Sequence, residues 1–411
     1  MAMSEKVSFK FTPMTAAIVG LVIGILATGA VAYAVWGVPY VTNPGTQLGT
    51  LKAGFIYVGP IGDYGWSHAH EQGRLYIEGK YPWLTTVYLE SVAEEDCETA
   101  IDYLIQTQGC DVVFTTSFGF MDATIAAGAK YPDKIFFHCS GYLRSANVGT
   151  YFADFYQLYY LNGLMAGALT MNGKIGYVAA FPLPELIRHI NAYHLGAQEV
   201  NATVETHVRW LLTDWYDPVA ARTAAENLIA AGCDILAYTE DSTAVLDVAE
   251  ENPGVYAFSH YSPMQSFAPT SCISGQLVRW DLMYEDIIQK IYLGQYTSTN
   301  LVNVDLHWLL QEGGVELGGE FGVPINPLFE ADLRAIMTTD TKTGLGSISV
   351  YDLVFNRTEQ MSDVNIIFDP YTGEIRDQAD TVMIADGVRA SYYYLLTIDW
   401  FVLGVIGDPS P

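Results

Sequence analysis

Aromatic and acidic side chains recur in this sequence directly after short apolar runs. Flat rings offer π faces to a planar ligand, and carboxylates accept hydrogen bonds from ring N–H, amino or hydroxyl groups. Side chains of these two types, brought together in a cleft, would suit a heterocycle. In chain order the candidate ligand-binding residues are Asp63, Tyr64, Trp66, Phe118, Phe181, Glu185, Asp241 and His260.

Each of these residues also has an ordinary structural interpretation. A single large ring belongs to a hydrophobic core more often than to a ligand platform, and a single aspartate after a strand commonly caps a helix. His260 could make binding pH-sensitive or could be a satisfied structural group. The recurrence of rings and acids at several strand ends is what favours a binding site over these alternatives.

Metal and cofactor chemistry finds little support in the sequence. His68 and His70 are two residues apart on a predicted helix and therefore face different sides of it. The G-x-G-x-x-G, Walker and G-x-S-x-G motifs do not occur, so we predict no cofactor, no metal site and no catalytic residue. The cysteines lack any C-x-x-C pair and could form disulfides or simply be core residues. They are Cys97, Cys110, Cys139, Cys233 and Cys272.

The apolar runs alternate along the chain with stretches of helical periodicity. A repeated strand-helix order predicts parallel sheets with helices on both faces. Gly-Cys-Asp leads from a helix into a strand at 109–111 and again at 232–234, so we predict an α/β fold of two doubly wound lobes. In such folds, ligands bind at the carboxyl ends of the strands. The predicted strands are 51–59, 86–90, 111–116, 134–140, 148–153, 174–181, 207–212, 234–240 and 255–260, and the predicted helices are 67–80, 95–107, 158–170, 187–200, 218–231 and 244–251.

The N-terminal part of the chain has the pattern of a membrane anchor. Residues 14–38 form a nearly unbroken apolar stretch of about the length that spans a bilayer, and Lys6 and Lys10 precede it. The positive-inside tendency then leaves residues 1–13 in the cytoplasm and places the body outside the cell, after a tether at 39–50. A cleaved signal peptide is the alternative, because Ala32-Tyr33-Ala34 resembles a cleavage site.

The charge balance excludes one class of partner. Lys and Arg number 19 against 46 Asp and Glu, a formal net charge of -27. Binding to nucleic acid needs clustered cations that release counterions from the phosphates. We therefore predict no nucleic-acid partner.

Several segments resemble the basic membrane protein (BMP) family of solute-binding lipoproteins. The longest are GPIGDYGWSHAHEQGR at 59–74 and GYVAAFPLPE at 176–185. Shorter matches follow the family order: FTTSFGFMD at 114–122, NVGTYF at 147–152, WYDP at 215–218 and DWFVLGVIG at 399–407. The resemblance covers the chain from 51 to about 408. It implies a type I periplasmic-binding-protein fold that delivers purine bases or nucleosides to an ABC importer.

The resemblance also suggests roles for individual residues. By position, Trp66 and Phe181 would bracket the base, with Phe118 and Trp280 nearby, and Glu185 and Asp241 would meet the base edge. The nucleoside-binding branch usually carries an Asp-rich stretch and a Lys where this chain has SHYSPM at 259–264 and VRWD at 278–281. This departure favours a free base such as adenine. The lipobox Cys of the family is missing, and the predicted membrane helix would replace its function.

These observations define the expected organisation and function. We expect an N-terminal lobe at 51–154 plus about 276–296, a C-terminal lobe at 155–275 plus about 297–311, and an extension at 312–411 that packs on the lobes. The expected protein is a single-pass cell-membrane protein, with its body on the extracellular side and an ABC permease as its partner. A ligand-sensing ectodomain and a nucleoside hydrolase are the alternative functions.

Overall fold

The computed structural model describes the chain from residue 49 to residue 411. The predicted cytoplasmic tail, the anchor at 14–38 and nearly all of the tether lie outside the described residues. Between residues 49 and 411, no helix is both long and apolar enough to cross a bilayer.

Strands and helices alternate over most of the described chain, as predicted. The strands are β1 Leu51–Ile56, β2 Leu84–Leu89, β3 Val112–Thr115, β4 Ile135–Cys139, β5 Val148–Ala153, β6 Lys174–Ala179, β7 Glu205–Trp210, β8 Ile235–Thr239, β9 Tyr256–Tyr261, β10 Cys272–Val278, β11 Asp305–Trp308, β12 Val315–Leu317, β13 Met337–Asp340, β14 Gly346–Ser349, β15 Ile375–Arg376, β16 Val382–Ile384 and β17 Val405–Ile406. The α-helices are α1 Trp66–Lys80, α2 Cys97–Gln106, α3 Met121–Lys130, α4 Tyr156–Leu169, α5 Pro184–Val200, α6 Pro218–Ala230, α7 Ala244–Glu251, α8 Trp280–Tyr292, α9 Pro327–Ala335, α10 Val350–Ser362 and α11 Tyr392–Leu395.

Two sheets form the centres of two lobes. The first sheet has the order β11-β5-β4-β3-β1-β2 and is parallel throughout. The second has the order β12-β10-β9-β8-β6-β7-β17 and is parallel except for β12, which runs antiparallel to β10. Every residue of β5 and of β10 is buried. Strands covered on both faces are typical of doubly wound α/β proteins.

The chain crosses between the lobes at three places. The first crossing follows β5 at Asp154, and the second follows β10 at Arg279 and leads to α8, which packs on α1, and to β11 in the first sheet. The third crossing lies between β11 and β12, where the chain returns to the second sheet. Residues 297–311 were expected in the C-terminal lobe, but β11 pairs with β5 in the first sheet. The expectation was wrong for this strand because strand pairing depends on the path of the loop before it, which hydrophobic periodicity does not encode.

Helices α4 and α5 pack unusually closely in the second lobe. A Cβ atom at Gly163 would lie 2.1 Å from the carbonyl oxygen of Tyr193, and one at Gly196 would lie 2.0 Å from that of Tyr160. Only glycine allows the two backbones to approach this far. The close contact fixes α5, whose first turn reaches the cleft between the lobes.

The C-terminal residues wrap around the second lobe. Strand β17 adds a parallel edge to β7, and the fully buried Arg357 of α10 forms ion pairs with Asp340 and Glu199, each at 2.6 Å. Since Glu199 belongs to α5, this network ties the segment after β12 to the helix that supplies part of the cleft. Charges buried in this way are stable when every partner is present.

Candidate functional site

The carboxyl ends of both sheets face a common cleft, and the two lobes touch along one side of it. A Cβ atom at Gly65 would lie 2.7 Å from the Cα of Asp241 in the opposite lobe. The Ser262 hydroxyl donates a hydrogen bond to the carbonyl of Tyr64, and the rings of Tyr64 and Phe267 are 4.8 Å apart. The structure therefore shows the lobes closed on this side.

A cavity of about 30 Å³ lies inside this contact. From the first lobe its wall contains Val58, Trp66, Ser117, Phe118 and Ser140. From the second lobe it contains Glu185, Trp215, Asp241 and Tyr261. A cavity of this volume has room for water, so a larger ligand requires the lobes to separate. We call this space the first chamber.

Trp66 is the rigid ring of the first chamber. It is the first residue of α1 and is 7% exposed, and its indole Nε1 donates to the carbonyl oxygen of Thr116. Edge-on contacts with His70, Tyr261 and Trp280 at centroid distances of 4.6, 5.2 and 5.4 Å hold it from three sides. A ring fixed in this way offers its face to a ligand without losing conformational entropy on binding.

Two carboxyl groups of the second lobe line the first chamber. Asp241 follows β8 and is buried, and its Oδ1 has no hydrogen-bond partner among the described residues. Burial raises the pKa of Asp241 well above its usual value, and the neighbouring Asp63 and Glu240 carboxyls raise it further. Glu185 lies in the first turn of α5, where burial raises its pKa to about 7 although Arg188 opposes the shift. Both groups can therefore be protonated carboxyls that donate as well as accept hydrogen bonds.

The backbone is strained where two wall residues enter the first chamber. Ser140 after β4 and Tyr261 at the end of β9 have φ values of 60° and 68°. Left-handed conformations of this kind are unfavourable for residues with a side chain and concentrate at functional sites. Here they turn side chains at two strand ends toward the cleft.

Phe118 and Phe181 occupy different places in the cleft. Phe118 lines the first chamber and is 36% exposed. Phe181 lies outside it, in an adjoining open groove, with its ring edge-on to Trp215 at 5.2 Å. Trp215 rather than Phe181 thus reaches the chamber from the second lobe.

Asp63 and Tyr64, both predicted to bind ligand, lie away from the wall of the first chamber. The carboxylate of Asp63 accepts hydrogen bonds from the backbone N–H groups of Gly65, Ser67 and His68 at 2.8, 3.1 and 3.0 Å, which is how an aspartate holds the start of a helix. Burial raises its pKa to about 6. Tyr64 is 43% exposed and contacts Phe267 at the outer rim.

His260 and Trp280 lie behind the first chamber. The His260 ring is buried in the second lobe, where Nδ1 approaches the hydroxyl of Tyr159 at 3.2 Å and the Gln276 Oε1 at 3.1 Å. Burial lowers its pKa well below the usual value. The Trp280 ring stacks on His70 at 4.3 Å, so it supports Trp66 from behind. The Nε2 atom of His260 is buried and has no hydrogen-bond partner among the described residues, and its predicted role in ligand binding remains a prediction.

Sequence reasoning missed Trp215 and Tyr261 as wall residues. Trp215 belongs to the WYDP segment quoted for the family resemblance, which was the available signal. Tyr261 directly follows His260, and successive strand residues point to opposite faces, so a choice between neighbours needed the register of β9. Ser117 and Ser140 carry no signal of their own.

The described residues hold no group of three or more His, Cys, Asp or Glu placed to bind a metal ion. The five cysteines are all buried free thiols. Of the two alternatives that the sequence left open, disulfide bonds and core positions, the structure shows core positions.

Two parallel-sheet lobes that enclose a cleft at the carboxyl ends of their strands define an α/β protein of the type I periplasmic-binding class. Solved structures show the same fold. The chain is similar to an ABC transporter solute-binding protein from Conexibacter woesei, with a TM-score of 0.58, 16% identity and coverage of 78% of this chain and 99% of that one. It is also similar to one from Aeropyrum pernix K1, with a TM-score of 0.63, 17% identity and coverage of 76% and 91%.

The chain belongs to the Bmp family, ABC transporter substrate-binding protein PnrA-like, whose model matches residues 50–353. A purine-binding protein of Brucella abortus is 32% identical over 357 residues, 86% of this chain and 93% of that protein. A Haloferax volcanii protein that carries the name ABC transporter glucose-binding protein is 38% identical over 273 residues, 66% of this chain and 68% of that protein. The predicted family and fold are confirmed. Members of this family are extracytoplasmic proteins that bind a substrate and work with a permease, so the body of the chain belongs outside the cell.

Proposed function

We propose that this protein captures a purine base or nucleoside outside the cell and delivers it to an ABC importer without altering it chemically. The observation that carries the proposal is the composition of the first chamber, in which the rigid ring of Trp66 faces carboxyl groups of Glu185 and Asp241 from the opposite lobe. The name of the Brucella abortus relative supports the choice of ligand. The anchor at 14–38 remains part of this proposal.

Stacking is the first contribution to affinity. A base stacked on an aromatic side chain gains about 1–3 kcal/mol. Trp66 presents such a face, and Trp215 approaches the chamber from the other lobe. Two faces together with a few buried hydrogen bonds reach an affinity of about micromolar or tighter.

Hydrogen bonding to the carboxyls is the second contribution. A purine edge presents N–H or amino donors beside ring-nitrogen acceptors. A protonated carboxyl matches such an edge because it donates and accepts at once, and Asp241 Oδ1 has no partner among the described residues. A phosphorylated ligand is disfavoured because its charge would be buried in a chamber whose wall contains no Lys or Arg.

Lobe closure completes the capture. With the three crossings as hinges, the lobes enclose the ring between Trp66 and the second lobe and exclude water. The contact of Gly65 with Asp241 marks the closed state.

A sugar is the second candidate ligand, because the Haloferax volcanii relative is named for glucose and rings with carboxylates also suit hydroxyl groups. We would titrate the purified full-length chain in a calorimeter with adenine, guanine, adenosine, inosine, ribose and glucose. Saturable binding of a purine but not of ribose or glucose is the expected result. Binding of glucose alone would overturn the purine proposal and leave the solute-binding class intact.

Replacing Trp66 tests the stacking contribution directly. We expect Trp66→Ala to weaken purine binding by about 1–3 kcal/mol, since one stacking face is lost. Phe181→Ala is the matched control: Phe181 lies outside the first chamber, so this variant should bind nearly as the wild type does. Equal losses in both variants would restore Phe181 as the second bracketing ring that the family resemblance implied.

A further inference from the structure

A larger space of about 660 Å³, which opens to solvent, adjoins the first chamber. Phe118, Ser140 and Glu185 line both, so the two spaces meet at these three residues. Beyond them the wall contains Arg188 and Tyr392. We call this space the second chamber.

Arg188 has a fixed position and unused donors in the second chamber. Its side chain is 3% exposed, and its Nε donates to Asp154 Oδ2 at 2.7 Å. The same carboxylate meets His189 Nε2 at 3.1 Å and His307 Nε2 at 3.2 Å. Among the described residues, none accepts a hydrogen bond from the Nη1 or Nη2 atoms of Arg188. A buried guanidinium held through one nitrogen thus lines a cavity with two nitrogens free to donate.

The far wall of the second chamber comes from the C-terminal part of the chain. Tyr392 begins α11, and its ring lies 3.8 Å from that of His307. Tyr393, Leu396 and Thr397 continue this wall. These side chains lie beyond residue 353, where the match to the family model ends.

The charges around the second chamber are balanced. Arg144 pairs with Asp305 at 2.8 Å, as Arg188 does with Asp154. Glu185 adds a further carboxyl group to the wall, and both arginines of the wall are already paired with aspartates. A phosphate would bring negative charge to a site without net positive charge, whereas a neutral oxygen can accept from the guanidinium at no such cost.

We propose that Arg188 and Tyr392 form a second ligand subsite, in which the guanidinium donates to a neutral oxygen on a substituent of the stacked ring and Tyr392 shields that hydrogen bond from water. This inference rests on the proposed function and deepens it. Asp241 lines only the first chamber, so an adenine whose amino edge meets Asp241 directs its opposite edge, which carries N9, toward Arg188.

The test is calorimetric titration of the full-length chain with adenine, 9-ethyladenine, adenosine and adenosine monophosphate. Adenosine and 9-ethyladenine both fill space beyond N9, but only adenosine brings oxygen acceptors. A hydrogen bond to a charged group changes affinity about tenfold or more. We therefore expect adenosine to bind at least about tenfold more tightly than 9-ethyladenine, and the monophosphate to bind more weakly than adenosine.

Two variants distinguish a specific loss of the second ligand subsite from a general loss of ligand binding. Arg188→Lys keeps a cation beside Asp154 but removes the two Nη donors, and we expect it to lower adenosine affinity about tenfold while adenine binds as before. Tyr392→Ala should lower adenosine affinity in the same selective way. Tyr394→Ala, on the same helix but outside the wall of the chamber, is the control and should bind both ligands normally.

Each outcome decides a different question. Equal affinity of adenosine and 9-ethyladenine would overturn the subsite, as would an equal loss of adenine and adenosine binding in Arg188→Lys. Tight binding of the monophosphate would also overturn it, because the site would then accept charge. If no purine binds at all, the proposed function is wrong, and the second ligand subsite, which rests on that function, is wrong as well.

Discussion

Asp154 and Asp241 are both buried aspartates near the cleft, yet their surroundings are opposite. Asp154, at the first crossing between the lobes, contacts Arg188, His189 and His307. Burial alone would raise the pKa of Asp154, but these partners outweigh it and hold the pKa well below the usual value. No cation among the described residues pairs with Asp241, and both burial and neighbouring acids raise its pKa. Burial therefore does not determine the charge of a carboxyl group; the partners buried with it do.

The difference matches the positions of the two residues. Asp154 is part of the permanent framework at a hinge, where a paired charge fixes the geometry of Arg188. Asp241 lies in the wall of the first chamber, where its Oδ1, which has no hydrogen-bond partner among the described residues, remains available to a ligand. Unsatisfied buried groups are costly for stability and are typical of binding sites.

Removing the charge of the paired aspartate should have the largest effect. Asp154→Asn leaves Arg188 buried without its counterion, and breaking a buried ion pair in this way costs about 3–5 kcal/mol. Urea denaturation should show this loss as a lower free energy of unfolding. Asp305→Asn is the control, since its pair with Arg144 is partly exposed and should cost about 1 kcal/mol or less. Similar losses in the two variants would contradict the distinction.

The same substitution at the unpaired aspartate should have the opposite sign. A carboxyl whose folded pKa is raised destabilises the fold once the pH exceeds its unfolded pKa. Asp241→Asn removes this penalty, so we expect the free energy of unfolding at pH 8 to be higher than that of the wild type. The gain should shrink toward pH 4. A destabilised Asp241→Asn protein at pH 8 would show that the carboxylate has a partner.

Glu185 should give the smallest and most pH-specific effect. The pKa of Glu185 is about 7 in the folded protein, above the ordinary value of 4.5. The protonated carboxyl therefore makes its full contribution to the free energy of unfolding below about pH 4.5, and this contribution is lost as the pH rises through 7. Glu185→Gln should make the fall in stability between pH 5 and pH 8 about 2–3 kcal/mol smaller. Buried histidines such as His138 and His189, whose pKa values burial lowers to about 4, are common to both proteins and cancel in the difference. Parallel pH profiles for the two proteins would contradict the raised pKa.

The architecture could be predicted because its signals are local. The strand at 148–153 matches β5, and the helix at 244–251 matches α7, since apolar runs and helical periodicity are written in consecutive residues. The edge strand β17 and the return of β11 to the first sheet depend on pairing between distant segments. No property of Val405–Ile406 alone indicates a partner in β7.

The site was predictable to the extent that its residues follow strands. Trp66, Phe118, Glu185 and Asp241 line the first chamber, because the carboxyl ends of parallel strands meet at one edge of each sheet. The ligand-binding roles of all the predicted residues remain predictions.

What the sequence could not show was the direction of each side chain. Asp63 turns back to hold the start of α1, and Tyr261 rather than His260 enters the wall. Tyr392 joins the second chamber only because the chain after α10 folds back across the second lobe.

Because Gly65 has no side chain, its backbone itself limits how far the two lobes can close. Backbone meets the Cα of Asp241 at this point, so this contact sets how closely the lobes can approach. Under the proposed function, a ligand is then selected by its thickness as well as by its polar groups. A flat aromatic ring requires less separation of the lobes than a puckered ring of equal area, so it leaves a smaller gap for water to enter.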